Sequence, residues 1–461
     1  MNNKSAIIGG ILLLLAALAA IAPYFAGMKA EASLRADHEI MAREMALPGL
    51  TITLDSYQRG YLESRAVTAI TFSSGAADAR PLRFELHHRI NHLPSFAHGA
   101  MASATSELVL PPEMQQAAAR FFGDRPPLTI TTYLGMSGME TATLNSPAFK
   151  SVEGPQIEWQ GIEGNSTRSG DLSHMTSHLA IPGLHYNGPE GTFTFSDMRY
   201  SADMSRGAHD MWFGTAQVSL KSLQFGGAGE EPAFVLSNVR LSSDQQERGE
   251  VTDASVRGEL GASSFGEVAL ESAIYDVELR NLDTKTMVEL QTAMQETTNS
   301  ADKSQIAVAL LDALPALLKA QPELNIRNLQ FKSSQGNFDG KLRLAFSGAW
   351  SDEMMESPLA VLALLNADID IAISKSLLIS LGQSQMHSAI AAMAEMQGEE
   401  LSEEEIEAMA SERAAQQLEL LAANEYLLDR DDLYTSKLHF EQGQLTINGK
   451  PANELFGATT D

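Results

Sequence analysis

From Thr51 onward apolar and polar residues alternate, and a period of two permits little except β-strands. Ile52 and Leu54 alternate with Thr51, Thr53 and Asp55, and Leu82, Phe84 and Leu86 with Arg83, Glu85 and His87. Phe193 and Phe195, then Val218 and Leu220, repeat the pattern between polar neighbours. Successive strand side chains point to opposite faces, so each run has one face on a core and the other in water. Gly and Ser turns punctuate the runs up to about residue 281, which predicts a long antiparallel sheet or meander. A short helix is predicted to interrupt it near Pro112–Phe122.

Beyond Asp283 the period changes. Met287, Leu290 and Met294, then Ile306, Leu310, Leu314 and Leu317, fall on helical stripes. A hairpin follows, turning near Ser333–Gly336. Leu324 and Ile326 are out of phase with Leu329 and Phe331, which predicts a β-bulge near Asn328. Ala367–Ser374 alternates cleanly, and Ser376–Met396 reads as helix. Ser402-Glu403-Glu404-Glu405 has the form of a capping box opening a further helix. The last segment, "SKLHFEQGQLTINGKP", reads as a hairpin.

At the other end, "AIIGGILLLLAALAAIA" (Ala6–Ala22) is almost wholly apolar, and Ser5–Met28 carries no charged side chain. As a helix that stretch reaches across the roughly 30 Å of bilayer hydrocarbon. Lys4 precedes it, which leaves the N-terminus cytoplasmic and the body in the periplasm. A signal peptide cleaved near Ala20-Ile21-Ala22 and a buried helix remain alternatives. The fold class read from the whole pattern is α+β. It comprises a transmembrane signal anchor over residues 1–28, a juxtamembrane helix over 29–48, a β-rich part over 49–281 and an α+β part over 282–461 ending in a β-hairpin.

Charge and composition narrow the function. A formal charge of -27 argues against nucleic acid, whose phosphates draw on clustered Lys and Arg. It equally disfavours electrostatic docking on anionic lipid. The chain has no cysteine, which excludes thiolate catalysis, cysteine-bound zinc and disulfides. His174 and His178, with His185 beyond, have zinc spacing only on a helix; on the expected strand they stand about 13 Å apart. His87, His88 and His92 alternate faces. "GMSGM" (Gly135–Met139) lacks the closing glycine of an esterase elbow, and the contiguous acids of "EELSEEEIE" lack the spacing of a calcium loop. The reading is of a non-enzymatic protein with no cofactor and no metal.

"PYFAGMKAE", "YQRGYLES", "IEWQGIEG" and "LHFEQGQLTING" occur in that order, and together they resemble the YdgA-like family, bacterial proteins of unknown function. The resemblance implies an inner-membrane-anchored protein with a periplasmic body and carries over no catalytic residues. Two functional expectations stand beside it. One is a structural or protein-interaction role in the envelope, with envelope proteins as partners. The other is binding or transfer of lipid or another hydrophobic molecule along an AsmA-like β-groove; homo-oligomerisation is left open. The remaining candidate site is Tyr57, Arg59, Gly60 and Tyr61, read as a turn between strands whose arginine pairs with Asp55 or Glu63, or else as a ligand or partner contact.

Overall fold

In the computed structural model, the alternating runs become ladders. The structure describes residues 22–36, 38, 49–73, 81–151, 154–227, 229, 231–265, 268–298, 304–348, 351, 358–397 and 401–452. The chain divides into two compact units, one of residues 1–218, 225–231 and 291–307, the other of residues 219–224, 232–290 and 308–461.

Unit 1 opens with helix α1 (residues 22–36). The strands β1 (Leu50–Gln58), β2 (Glu63–Phe72), β3 (Leu82–Asn91), β4 (Ala100–Val109), β5 (Thr129–Gly135) and β6 (Glu140–Ser146) then pair antiparallel in sequence order. Helix α2 (Pro112–Phe122) sits where the helical interruption was expected. The ladder continues through β9 (Ile162–Arg168), β10 (His174–Gly188) and β11 (Gly191–Arg206), after the short β7 (Phe149–Lys150) and β8 (Gln156–Trp159). β12 (Trp212–Gly226) follows in sequence.

Unit 2 pairs β13 (Phe234–Arg248), β14 (Val251–Leu260), β16 (Val268–Asp283), β17 (Glu323–Ser333), β18 (Gly336–Phe346), β19 (Leu365–Ser374) and β21 (Leu433–Glu441), all antiparallel; β15 (Ser263–Phe265) and β20 (Leu428–Arg430) are short additions. The last hairpin adds β22 (Gln444–Ile447) and β23 (Lys450–Pro451). The bulge lies where the phase change put it: the β17 register slips between Ile326 and Leu329. The helices are α3 (Thr284–Thr298), α4 (Ser304–Lys319), α5 (Pro358–Ala363), α6 (Lys375–Gln397) and α7 (Glu403–Ala423). The α7 capping box is complete: Glu405 N–H donates to Ser402 Oγ at 3.3 Å, and Ser402 N–H to Glu405 Oε2 at 2.9 Å. α6 and α7 bury Ile390, Ile406 and Ala410 between them.

The expected fold class needs correction. No helix among the described residues is long and apolar enough to cross a membrane. α1 begins inside the segment expected to span, and one of its faces packs on protein, with Ala26 against Ala102 and Leu134, while Tyr24 and Phe25 stay exposed. It continues through Lys29, Glu31 and Arg35, which lie beyond the expected span and leave this helix too polar to cross a membrane itself. The architecture is therefore mostly antiparallel sheet with some helices. Residues 1–21 of the expected span, and most of 37–48 in the expected juxtamembrane helix, lie outside the described residues.

Candidate functional site

Tyr57 is near the end of β1, while Arg59, Gly60 and Tyr61 form the connection to β2. Arg59 pairs neither with Asp55 nor with Glu63. Its guanidinium donates to Glu31 of α1, with Nε at 2.8 Å, and holds that carboxyl below its ordinary range. Asp55 is taken by Arg83, and Glu63 by Arg89 at 2.9 Å and Arg65 at 3.2 Å. Arg35, one turn beyond Glu31, lies over the Tyr57 ring at 5.9 Å. Burial pushes the Tyr57 phenol up from its ordinary value. A Cβ on Gly60 would sit 2.2 Å from Glu63 O, so only glycine admits this turn. The motif seats a helix on the edge of the sheet.

Beneath that helix lies a cavity of about 240 Å³. Leu34, Ile52, Ile70, Leu86, Ile90 and Leu134 give it an apolar wall. Polar groups reach it in one connected file. Ser106 Oγ lies 2.6 Å from His88 Nδ1, His88 Nε2 2.7 Å from Thr68 Oγ1, and Thr68 Oγ1 2.8 Å from His38 Nε2. His38 Nδ1 is 2.7 Å from Leu34 O, which can only accept, so this nitrogen donates. The protons then run one way: Ser106 donates to His88, His88 to Thr68, Thr68 to His38, and His38 to the carbonyl. Every member is satisfied, which is what makes a buried polar file tolerable. Burial, reinforced by the imidazoles of His38 and His87, pulls His88 down to about 4.

Ser106 and His88 resemble the nucleophile and base of a hydrolase. The resemblance stops at the chemistry: His88 is a weak base at neutral pH, and its other nitrogen meets a hydroxyl instead of a carboxylate. The adjacent histidines part company, His87 facing outward to Glu85 at 2.9 Å. His92 forms a separate buried group, Nε2 2.9 Å from Ser64 Oγ and Nδ1 3.0 Å from Tyr61 O. His174 and His178 lie on β10, His174 Nδ1 3.1 Å from Ser205 Oγ. Among the described residues no group of three or more His, Asp or Glu is placed to hold a metal ion.

Unit 2 offers a second surface. Register places Leu241, Gly258, Tyr275 and Leu329 in one row across β13, β14, β16 and β17. The next row is Ser243, Val256, Val277 and Ile326, continued by Leu342, Ile369 and Leu438. Leu241, Val256, Tyr275, Leu279 and Leu329 are 36–40% exposed, so this face is apolar and bare at its β13–β17 end. The opposite face is ionic. Arg257 bridges Glu259 (2.9 Å) and Asp276 (3.3 Å), and Arg327 joins Asp276 at 2.8 Å. Here the alternation read from sequence lies around Leu324–Phe331 and Ala367–Ser374 and does not reach β13, β14 or β16. Nor does it show that the two faces align across the sheet, which depends on register and on the bulge.

A family model described as a bacterial protein of unknown function, DUF945, matches residues 2–454. No curated protein and no solved structure matches.

Proposed function

The chain belongs to DUF945, a bacterial protein family of unknown function, and on that premise we propose that it is a non-enzymatic binding protein of the cell envelope that shelters a hydrophobic molecule. The observation that carries this reading is the bare apolar face of β13–β17, backed by a face of arginine–carboxylate pairs whose arginines are about half exposed. A sheet with one face wet needs a cover for the other. An acyl chain laid across Leu241, Val256, Tyr275 and Leu329 removes that surface from water at about 25 cal/mol per Å². The YdgA-like motifs make that group the finer placement within the family. The apolar Ala6–Ala22 sequence and the lack of cysteine support a body outside the cytoplasm, beside the inner membrane.

The test is to purify the full chain, extract it with organic solvent and identify co-purifying molecules by mass spectrometry. Wild type is expected to carry an acyl-chain compound, and the Val256→Asp/Leu329→Asp double variant to lose most of it with unchanged circular dichroism. A wild-type protein that yields no such compound and takes up no fluorescent fatty acid ends the proposal.

A further inference from the structure

We infer that one end of unit 1 is a lipid-contacting rim, seated on a phospholipid bilayer through its hairpin tips. In an antiparallel ladder alternate connections emerge at the same end. The β1–β2, β3–β4 and β5–β6 connections therefore lie together. The first half of α1 lies at that end too: Gly27 meets His92 at the end of β3, and the Lys29 ammonium lies beside Gly138 in the β5–β6 connection.

These tips carry side chains that water does not favour. Phe96 is 91% exposed and Met136 81%, and Leu62 and Leu93 are exposed beside them. Tyr24 and Phe25, in edge contact at 5.8 Å, stand exposed on the first turns of α1. Tyr, Phe and Met at loop tips suit the headgroup boundary, where an apolar body and a polar end are both satisfied.

Charge does not make this contact. "APYFAGMK", "RGYL", "HLPSFAHG" and "MSGM" contain no acidic residue, but the β9–β10 connection, whose Gly170 lies against Ser137 and Gly138, brings exposed Asp171 to the same end. Glu113 and Asp124 lie in the β4–β5 connection at the opposite end. A strongly acidic protein gains nothing from electrostatic docking on lipid, so the contact rests on the apolar tips. The occupant is indicated by the sequence itself: the apolar Ala6–Ala22 run enters the described structure at Ala22, the first residue of α1, at this rim.

The cysteine-free chain allows a clean experiment. Full-length Phe96→Cys, Met136→Cys and Asp124→Cys variants are labelled with a polarity-sensitive dye and mixed with phosphatidylethanolamine–phosphatidylglycerol vesicles containing acyl-chain spin label. The expected result is a blue shift and quenching at positions 96 and 136 and neither at 124. No quenching at 96 and 136, even with the protein bound to vesicles, means that the N-terminal sequence tethers the body without rim contact and overturns the inference. So does an equal response at all three positions, or a blue shift without vesicles, which marks association between protein copies. The inference assumes the envelope location but not the hydrophobic cargo. Rim quenching with an empty solvent extract breaks only the cargo reading; a loaded protein with a silent rim breaks only this one.

Discussion

Two stretches of antiparallel strands with similar sequence texture end differently in this molecule. The inner face of β1–β6 lies under α1 and contains Ser64, Thr68, His88, His92 and Ser106 among its aliphatics. The β13–β17 face presents Leu241, Val256, Tyr275 and Leu329 with Ser243 and Gly258 among them, and these large side chains stay 36–40% exposed. A helix cover supplies the partners that let polar groups be buried, as His38 does for Thr68. Without a cover an apolar face is costly in water, and that is the surface the proposed ligand would close. The difference teaches that burial, more than alternation, distinguishes the two faces.

The contrast breaks most directly by truncation. Ile90 is 3% exposed against the α1 side, whereas Val256 is 36% exposed on the bare face. Ile90→Ala is expected to cost about 3 kcal/mol, in the range for a buried aliphatic. Val256→Ala should cost no more than about 1 kcal/mol, because its methyls already meet water. Urea denaturation of the lipid-free protein measures both. Equal losses would show that the β13–β17 face is packed like a core, and the comparison would fail.

Acid separates the two units with opposite signs. His88 is held at about 4, against about 6.5 for an ordinary imidazole. Between those values the unfolded chain binds a proton that the folded chain refuses. This contribution is complete above about pH 6.5 and is lost as pH falls to about 4, at most about 3 kcal/mol in all. In unit 2, Asp368 accepts a hydrogen bond from His439 at 2.7 Å and, with Glu441 assisting, raises that imidazole above its ordinary value. Its contribution is present below about pH 6.5 and is lost as pH rises through the raised value. Proton NMR titration of the histidine ring signals, assigned with His88→Gln and His439→Gln variants, should place the two on opposite sides of the ordinary value. A His88 that titrates near 6.5 would mean a wet cavity.

What the sequence made legible was local. The Asn328 bulge, the Ser402 capping box and α2 each rest on residues within a few positions of one another, so periodicity and capping chemistry suffice. The docking of α1 joins residues 26–38 to partners between 57 and 140, and no local pattern encodes it. Residues 22–28 read the same in sequence whether lipid or protein lies against them, which is why the expected span runs on to Met28. The missed signal was the small residues Ala26, Gly27 and Ala30, which let a helix approach a sheet closely. For the histidine file the signal was weaker still: His88 and Ser106 each occupy an inward position on a strand otherwise apolar there, and Thr68 follows Ser64 on the inward side of β2.

Gly27 tests that close approach with the smallest change available. A Cβ at Gly27 would sit 2.5 Å from His92 Cε1 and 2.8 Å from its Nδ1. The ring cannot swing away freely, since Ser64 and Tyr61 O hold its nitrogens and it is 1% exposed. α1 must therefore lift or the histidine must give up a bond, and Gly27→Ala is expected to cost about 2 kcal/mol, as overpacking does. Gly382 on α6 is the matched control. Its added Cβ would meet Ala414 Cβ at 3.4 Å, ordinary contact between helices. There the higher helix propensity of alanine decides the sign, and Gly382→Ala should range from neutral to about 1 kcal/mol more stable. Limited trypsin digestion localises the effect: Gly27→Ala should speed cleavage after Lys29 and Arg35, and Gly382→Ala should not. A Gly27→Ala protein as stable and as resistant as wild type would mean that α1 does not press on His92, and the covered sheet would lose its distinction from the bare one.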